Sequence, residues 1–230
     1  MIYSVALRQS INTKLMGHLI REDGQEDLCF ALYKKGSGIE RVSGIITDII
    51  LPQIGDRNLH GNVSFNPCYF DKITHLALKE NKGIVFIHSH PASGWQNMSK
   101  DDIETEKMLA PRVKAVTNNS LIGMTLGTDG AWSARFWNKT KPKNYNIDWC
   151  ESVRVVGAKF SVTYNTKLVP ALKFDEKFVR TISAWGKKNQ EDLARIKVGI
   201  VGVGSVGSQI AESLLRTGIQ KISLIDFDIV

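Results

Sequence analysis

The chain has 230 residues, about one and a half typical domains, so one large domain or two unequal ones are expected. Hydrophobic residues make up 43% and charged residues 23%, a globular balance with enough apolar material for a sizeable core, which excludes disorder and fibrous repeats. The net charge of +7 is spread along the chain, with only Lys139, Lys141 and Lys143 forming a short basic run, so no nucleic-acid partner is expected. The longest apolar runs, such as Ile84–Ile87, fall far short of the roughly 18 residues that span a bilayer. The N-terminus has no export pattern, so no membrane partner and a cytoplasmic location are expected. Cys29, Cys68 and Cys150 lie outside any Cys-x-x-Cys element and read as small hydrophobes.

Apolar spacing predicts a first helix from Ile11 to about Arg21, with Leu15, Leu19 and Ile20 inward and Ser10 or Asn12 as the cap. Leu28–Tyr33 and Val42–Ile50 read as paired strands around the turn-like Lys35–Gly38. Pro67 opens a helix through Phe70, Ile73, Leu76 and Ala77. Ile84–His88, bounded by Gly83 and Pro91, reads as a strand buried on both faces. Ser99 precedes a helix through Ile103, Met108 and Leu109, followed by strands Leu121–Leu126 and Ala131–Trp137 with Thr128-Asp129-Gly130 as their turn. Lys, Pro, Asn and Thr dominate Asn138–Asn146, which marks a domain boundary. Beyond it, Val153–Val156 and Phe160–Thr163 read as strands, Phe174–Ala194 as a helix, and the rest as a strand-turn-helix-strand unit.

Two chemical motifs stand out. In His88-Ser89-His90-Pro91, the two imidazoles project from one face of a strand while Ser89 points away. Pro91 ends the ladder. An oxygen ligand completes a hydrolytic zinc site, and Asp102, in the first turn of the helix opened by Ser99, is the leading choice. Asp101 is the alternative, but it places Met98 at the hydroxyl position. Taken alone, Ser99-x-x-Asp102 is also a helix-capping arrangement. The second motif is the apolar Lys197–Val201 running into Gly202-x-Gly204-x-x-Gly207, then helical Gln209–Arg216, strand Ile222–Ile225 and Asp226. This order fits a nucleotide-binding βαβ unit, in which glycines admit phosphates to a helix N-terminus and the acid takes ribose hydroxyls. Alternatively, Gly202, Gly204 and Gly207 serve only close strand-helix packing.

The first motif resembles the signature of the JAMM (MPN-plus, or JAB) metalloproteases over about residues 1–138. That resemblance implies a JAB/MPN cytidine-deaminase-like α/β fold, a mixed sheet flanked by helices. It also implies zinc on His88, His90 and Asp102, with Glu26 as the proton relay and Ser99 as an oxyanion donor. The stretch from Arg180 through the glycines to Leu224-Ile225-Asp226-Phe227-Asp228 resembles the start of the ThiF/MoeB and ubiquitin-activating adenylyltransferases over about 174–230. It implies a partial Rossmann-like βαβ unit in which Arg180 and Asp226 contact ATP. The expected organisation is therefore a metalloprotease domain at 1–140, a linker with short strands at 141–173, and a nucleotide-binding segment at 174–230. The implied activity is zinc-dependent cleavage of a peptide or isopeptide bond at the C-terminus of a ubiquitin-like protein. A conjugating enzyme or the rest of an activating domain would be a further partner. The alternatives are an ATP-dependent adenylyltransferase fragment acting on a ubiquitin-like protein, and a non-catalytic MPN scaffold.

Overall fold

The structure, a computed structural model, describes residues 1–60, 62–158, 160–170, 172 and 176–228. The chain divides into two compact units, Met1–Val169 and Pro170–Val230. The expected helix start and boundary at Phe174, like the terminal Val230, lie outside the described residues.

The first unit runs β1 (Ile2–Arg8), α1 (Gln9–Leu19), β2 (Leu28–Ser37), β3 (Arg41–Ile50), β4 (Arg57–His60), β5 (Asn62–Phe65), α2 (Pro67–Glu80) and β6 (Gly83–Ser89). It continues with α3 (Lys100–Thr117), β7 (Leu121–Leu126), β8 (Trp132–Lys141), β9 (Asn144–Trp149), β10 (Ser152–Val156) and β11 (Ser161–Tyr164). Nine strands form one mixed sheet in the order β11-β10-β1-β3-β2-β6-β7-β8-β9, and β4 and β5 pair as a separate hairpin. The sheet curls: Trp132 N–H on β8 donates to Thr163 Oγ1 on β11 at 3.2 Å, although the two strands stand far apart in that order.

Strand alternation divides the core into two layers. Cys29, Ala31 and Tyr33 of β2 and Val85 and Ile87 of β6 face α1, which contributes Ile11, Leu15 and Leu19. Leu28, Phe30, Leu32, Ile84 and Phe86 point the other way, onto Phe70 and Ile73 of α2 and Leu109 and Val113 of α3. Phe30 meets Phe65, Tyr69, Phe70 and Phe86 at ring-centroid distances of 5.2–5.6 Å, the offset and edge contacts that aromatic quadrupoles favour. Every residue of β6 is buried, as its unbroken apolar run predicts.

Several local expectations change. α1 starts two residues early, after Arg8, with no side-chain cap, and Ile20 lies beyond it at 41% exposure. Leu76, Ile103 and Met108 are exposed, so the inward faces of α2 and α3 are carried by their neighbours. The polar stretch after Asn138 is a hairpin: β8 continues to Lys141, and Lys143 turns at φ 67 into β9. The basic run therefore decorates a β-turn. β10 and β11 likewise belong to the first unit, because Val153 and Val155 pair beside β1 and bury against its core. β1 is read from no sequence pattern above, yet its alternating Val5 and Leu7 place it inside the sheet, parallel to both β10 and β3.

In the second unit a 3-10 turn (Glu176–Phe178) leads to α4 (Val179–Trp185) and α5 (Lys187–Arg195), interrupted at Gly186 with φ 87. Then come β12 (Lys197–Val201), α6 (Ser205–Thr217) and β13 (Lys221–Ile225), with β12 and β13 parallel. The βαβ order expected from the glycine motif is thus present as strand, helix and strand. No helix among the described residues is long and apolar enough to cross a membrane.

Candidate functional sites: a histidine–aspartate cluster and a glycine loop

The alternation that buries Ile84 and Phe86 against α2 and α3 also fixes the face of the histidines. His88 continues that face and stacks on Phe86 at 5.4 Å between centroids. His90 follows two residues later, its ring centroid 4.9 Å from that of His88. The N-terminus of α3 lies over the same face and brings Asp102 at its third position. Ser99 caps α3: its Oγ accepts from Asp102 N at 3.1 Å, and Asp102 Oδ2 accepts from Ser99 N at 2.7 Å. The capping arrangement and the ligand arrangement are therefore one structure, in which the cap aims the carboxylate.

His88 Nε2 lies 3.1 Å from Asp102 Oδ1, His90 Nε2 lies 3.2 Å from Asp102 Oδ2, and the two Nε2 atoms are 3.2 Å apart. Three donors on a tetrahedral ion with ~2.0 Å bonds are about 3.3 Å apart, so these residues fit a small divalent cation. Burial alone raises the Asp102 carboxyl, but hydrogen bonds from His88 and His90 outweigh it and hold the group well below the usual carboxylate range. His90 is shifted upward by its bond to Asp102, against the opposing effect of burial, with a smaller contribution from the charge of Glu26.

Glu26 is half-buried and lines, with His90, Ser89, Pro91 and Gly127, a small cavity beside the cluster. Its neighbour Asp27 is buried at 1% exposure. Arg57 Nε reaches Asp27 Oδ1 at 2.6 Å, and Arg21 and His18 approach the same carboxylate at 3.5 and 3.6 Å. Asp27 N–H donates to Ser89 Oγ and Ser89 N–H to Asp27 O, both at 3.0 Å, which ties the Glu26 segment to the histidine strand. Asp101 is exposed on α3 and stands outside the cluster.

Sequence reasoning missed the polar core behind this site. Glu106 and Arg135 are fully buried and paired through Arg135 Nη2 to Oε1 and Arg135 Nε to Oε2, the latter at 2.9 Å. Trp137 Nε1–H donates to Glu106 Oε2 at 2.6 Å. Gly123 makes room: a Cβ there would lie 2.2 Å from a Glu106 carboxylate oxygen. The signal was present, because Glu106 follows Asp102 by one helical turn and Arg135 stands among the apolar Ala134, Phe136 and Trp137.

In the second unit, Gly202 turns at φ 87 and Gly204 is the cap residue of α6, with no side-chain cap on its amides. A Cβ at Gly202 or Gly204 would meet nothing within 4 Å, which leaves the backbone open to a ligand. Gly207 differs: its Cβ would lie 1.8 Å from Gly202 O, so this glycine serves contact between helix and loop. The close packing expected as one use of the motif is present at Gly207. Asp226 Oδ2 accepts from Val203 N, and Oδ1 from Phe227 N and Asp228 N; these bonds, Val203 first, hold its carboxyl below the ordinary range. Arg180 lies exposed on α4.

The glycine unit defines a class of protein segment, and comparison with known families finds a resemblance over that segment. Residues 178–230 match the model of the ThiF family. The chain is 44% identical over 53 residues to the tRNA threonylcarbamoyladenosine dehydratase of Escherichia coli, covering 23% of this chain and 20% of that relative. The corresponding figures for tRNA threonylcarbamoyladenosine dehydratase 2 of Saccharomyces cerevisiae are 38% over 61 residues, 24% and 14%. The chain thus spans a fifth or less of the curated relatives it matches. The solution structure of a Desulfitobacterium hafniense protein aligns with a TM-score of 0.38 and 16% identity, over 66% of this chain and 94% of that one.

These matches correct the functional expectation. The zinc-dependent isopeptidase or peptidase reading, with its JAMM hydrolase class, is overturned, because the family match is to ThiF and the curated relatives are tRNA threonylcarbamoyladenosine dehydratases. The metal motif is short and its geometry is shared by many chemistries, whereas the ThiF match extends over an entire βαβ segment.

Proposed function

We propose that residues 178–230 bind ATP and serve adenylate-forming chemistry on a carboxylate substrate. The observation that carries this reading is the Gly202-x-Gly204-x-x-Gly207 turn between β12 and α6, in a segment that matches the ThiF family. Backbone amides at the α6 N-terminus face the position of phosphates, and the helix dipole favours their charge. In the proposed reaction a carboxylate oxygen bonds to the α-phosphorus, pyrophosphate leaves, and an acyl adenylate forms. Asp226 holds the loop through Val203 and presents its remaining lone pairs to the ribose, and Arg180 is the cation assigned to the nucleotide. The expected partner is a ubiquitin-like protein with a C-terminal carboxylate; the threonylcarbamoyl group in the relatives' name carries a carboxylate too. Gly204→Ala should leave the fold intact, since its Cβ meets no atom, yet weaken ATP binding about tenfold or more, ~1.4 kcal/mol. Unchanged affinity in the folded variant would remove the loop from the nucleotide site.

A second reading concerns the first unit, and the convergence of His88, His90 and Asp102 favours it. These three residues are proposed to hold one divalent cation, zinc by the chemistry of two imidazoles and a carboxylate, with Glu26 beside it and Ser99 aiming Asp102. Such an ion supplies a Lewis acid. Metal analysis of the purified chain should find about one equivalent, lost in His88→Ala. A metal-free protein after dialysis against zinc would show the cluster to be an internal hydrogen-bond set only.

A further inference from the structure

On the face of the large sheet that points away from α1, strand register sets Ser152 of β10 opposite Ser4 of β1, and Ser4 opposite Ser43 of β3. Alternation sends Val5, Val42 and Val153 into the core and the serines outward. Ser4 Oγ and Ser43 Oγ are 2.8 Å apart, so one hydroxyl donates to the other. Arg154, two residues along β10, lies back over this pair: its Nη2 donates to Ser4 Oγ at 3.2 Å and to Ser43 Oγ at 3.3 Å. Ser4 is fully buried, while Ile45 and Val156 on the same face are exposed, so the cluster is reached from solvent. Arg41, at the other end of the row, pairs with Glu151 at 3.0 Å. Arg154 has no carboxylate partner among the described residues, in contrast to Arg135 on Glu106 and Arg57 on Asp27, and its Nε is buried without a hydrogen-bond partner. Burial, and next the charge of Arg41, pull the Arg154 guanidinium below the ordinary arginine range, against the smaller influence of Glu151. Guanidinium groups only donate, and the serine pair keeps one hydroxyl hydrogen after its internal bond is made. Donors therefore exceed acceptors in the cluster, and a buried donor left unpaired by the protein calls for an acceptor from outside it.

We propose that Arg154, Arg41, Ser4 and Ser43 form a binding site for a phosphate group, built from residues that belong to neither the histidine cluster nor the glycine loop. The donors come from three strands and from different directions, a guanidinium at each end of the row and a hydroxyl between them. That spread suits the several oxygens of a tetrahedral oxyanion, whereas the two oxygens of a planar carboxylate are satisfied by one guanidinium edge. The two guanidiniums outweigh Glu151 in charge, so a bound anion also relieves the repulsion between them.

The test titrates the unaltered full chain with inorganic phosphate, glycerol phosphate, acetate and, at matched ionic strength, chloride, and follows nitrogen-15 resonances. The Arg154 Nε–H signal and the amides of Ser4 and Ser43 should shift and saturate with phosphate, while amides at Val203–Ser205 report the glycine loop separately. Tighter binding of glycerol phosphate assigns a phosphate carried on a larger molecule, and tighter binding of the inorganic ion assigns the free anion; either supports the site. Arg154→Lys keeps the charge but loses the planar fork, and should weaken phosphate about tenfold or more. Arg41→Gln, at a half-buried position, should weaken it as well, which covers the case in which Arg154→Lys does not fold. Shifts that chloride reproduces, or that acetate saturates at lower concentration than phosphate, would overturn the proposal. So would a folded Arg154→Lys variant that melts lower yet binds phosphate with unaltered affinity, since the arginine would then serve the sheet alone.

Discussion

Glu106→Gln is expected to destabilise the first unit by about 3–5 kcal/mol, the usual cost of removing one partner from a buried ion pair. Arg135 is fully buried beside Glu106 and has no other carboxylate in its hydrogen-bond set. The carboxylate accepts three N–H groups, from Arg135 Nε, Arg135 Nη2 and Trp137 Nε1. An amide of the same shape brings its own N–H against at least one of them. The loss is read from urea unfolding followed by tryptophan fluorescence, since Trp95, Trp132, Trp137 and Trp149 all belong to this unit. Adding Arg135→Met should recover part of the stability, because it removes the stranded charge. A loss below ~1 kcal/mol in the single variant would contradict the buried pair.

Gly207→Ala is expected to separate α6 from the glycine loop and destabilise the second unit by about 3 kcal/mol. The added Cβ would lie 1.8 Å from Gly202 O and 2.9 Å from Gly202 C, both backbone atoms that no rotamer change can move. The helix must shift, and its N-terminal amides shift with it. Amide hydrogen exchange across Ser205–Thr217 should therefore accelerate in this variant, while Gly204→Ala, with open space around its Cβ, should keep the unaltered protection. Equal exchange in both variants would mean that Gly207 is not a contact point. The contrast separates two roles that one motif combines, close packing at Gly207 and ligand access at Gly204.

Much of this was legible in the sequence where local chemistry decides. Pro67 at the first turn of α2, with Asn66 as its cap and Asn81 in the left-handed C-cap, delimits that helix. The unbroken apolar run of β6 places it between β2 and β7, and its alternation sends His88 to the α3 face. The βαβ order of β12, α6 and β13 follows from the glycines. What composition misjudged was the stretch after Asn138, where polar residues mark a solvated hairpin rather than a domain boundary. β1 was overlooked, because seven residues at a chain end reveal a strand only through the partners that flank it. The Asp27 cluster and the Glu106–Arg135 pair were hidden for the same reason. Charged residues look solvated in one dimension, and only the fold brings Arg57 to Asp27 or Arg135 to Glu106. The functional reading erred by resting on three side chains, while the longer glycine-loop pattern pointed to the ThiF family.

Calorimetric titration of magnesium-ATP into the unaltered chain addresses the nucleotide-binding account most directly. Saturable binding at one site per chain, reduced by Gly204→Ala, is the predicted result. Absence of binding by protein whose α6 amides are protected from exchange would contradict it, because the loop would then be formed and yet take no nucleotide.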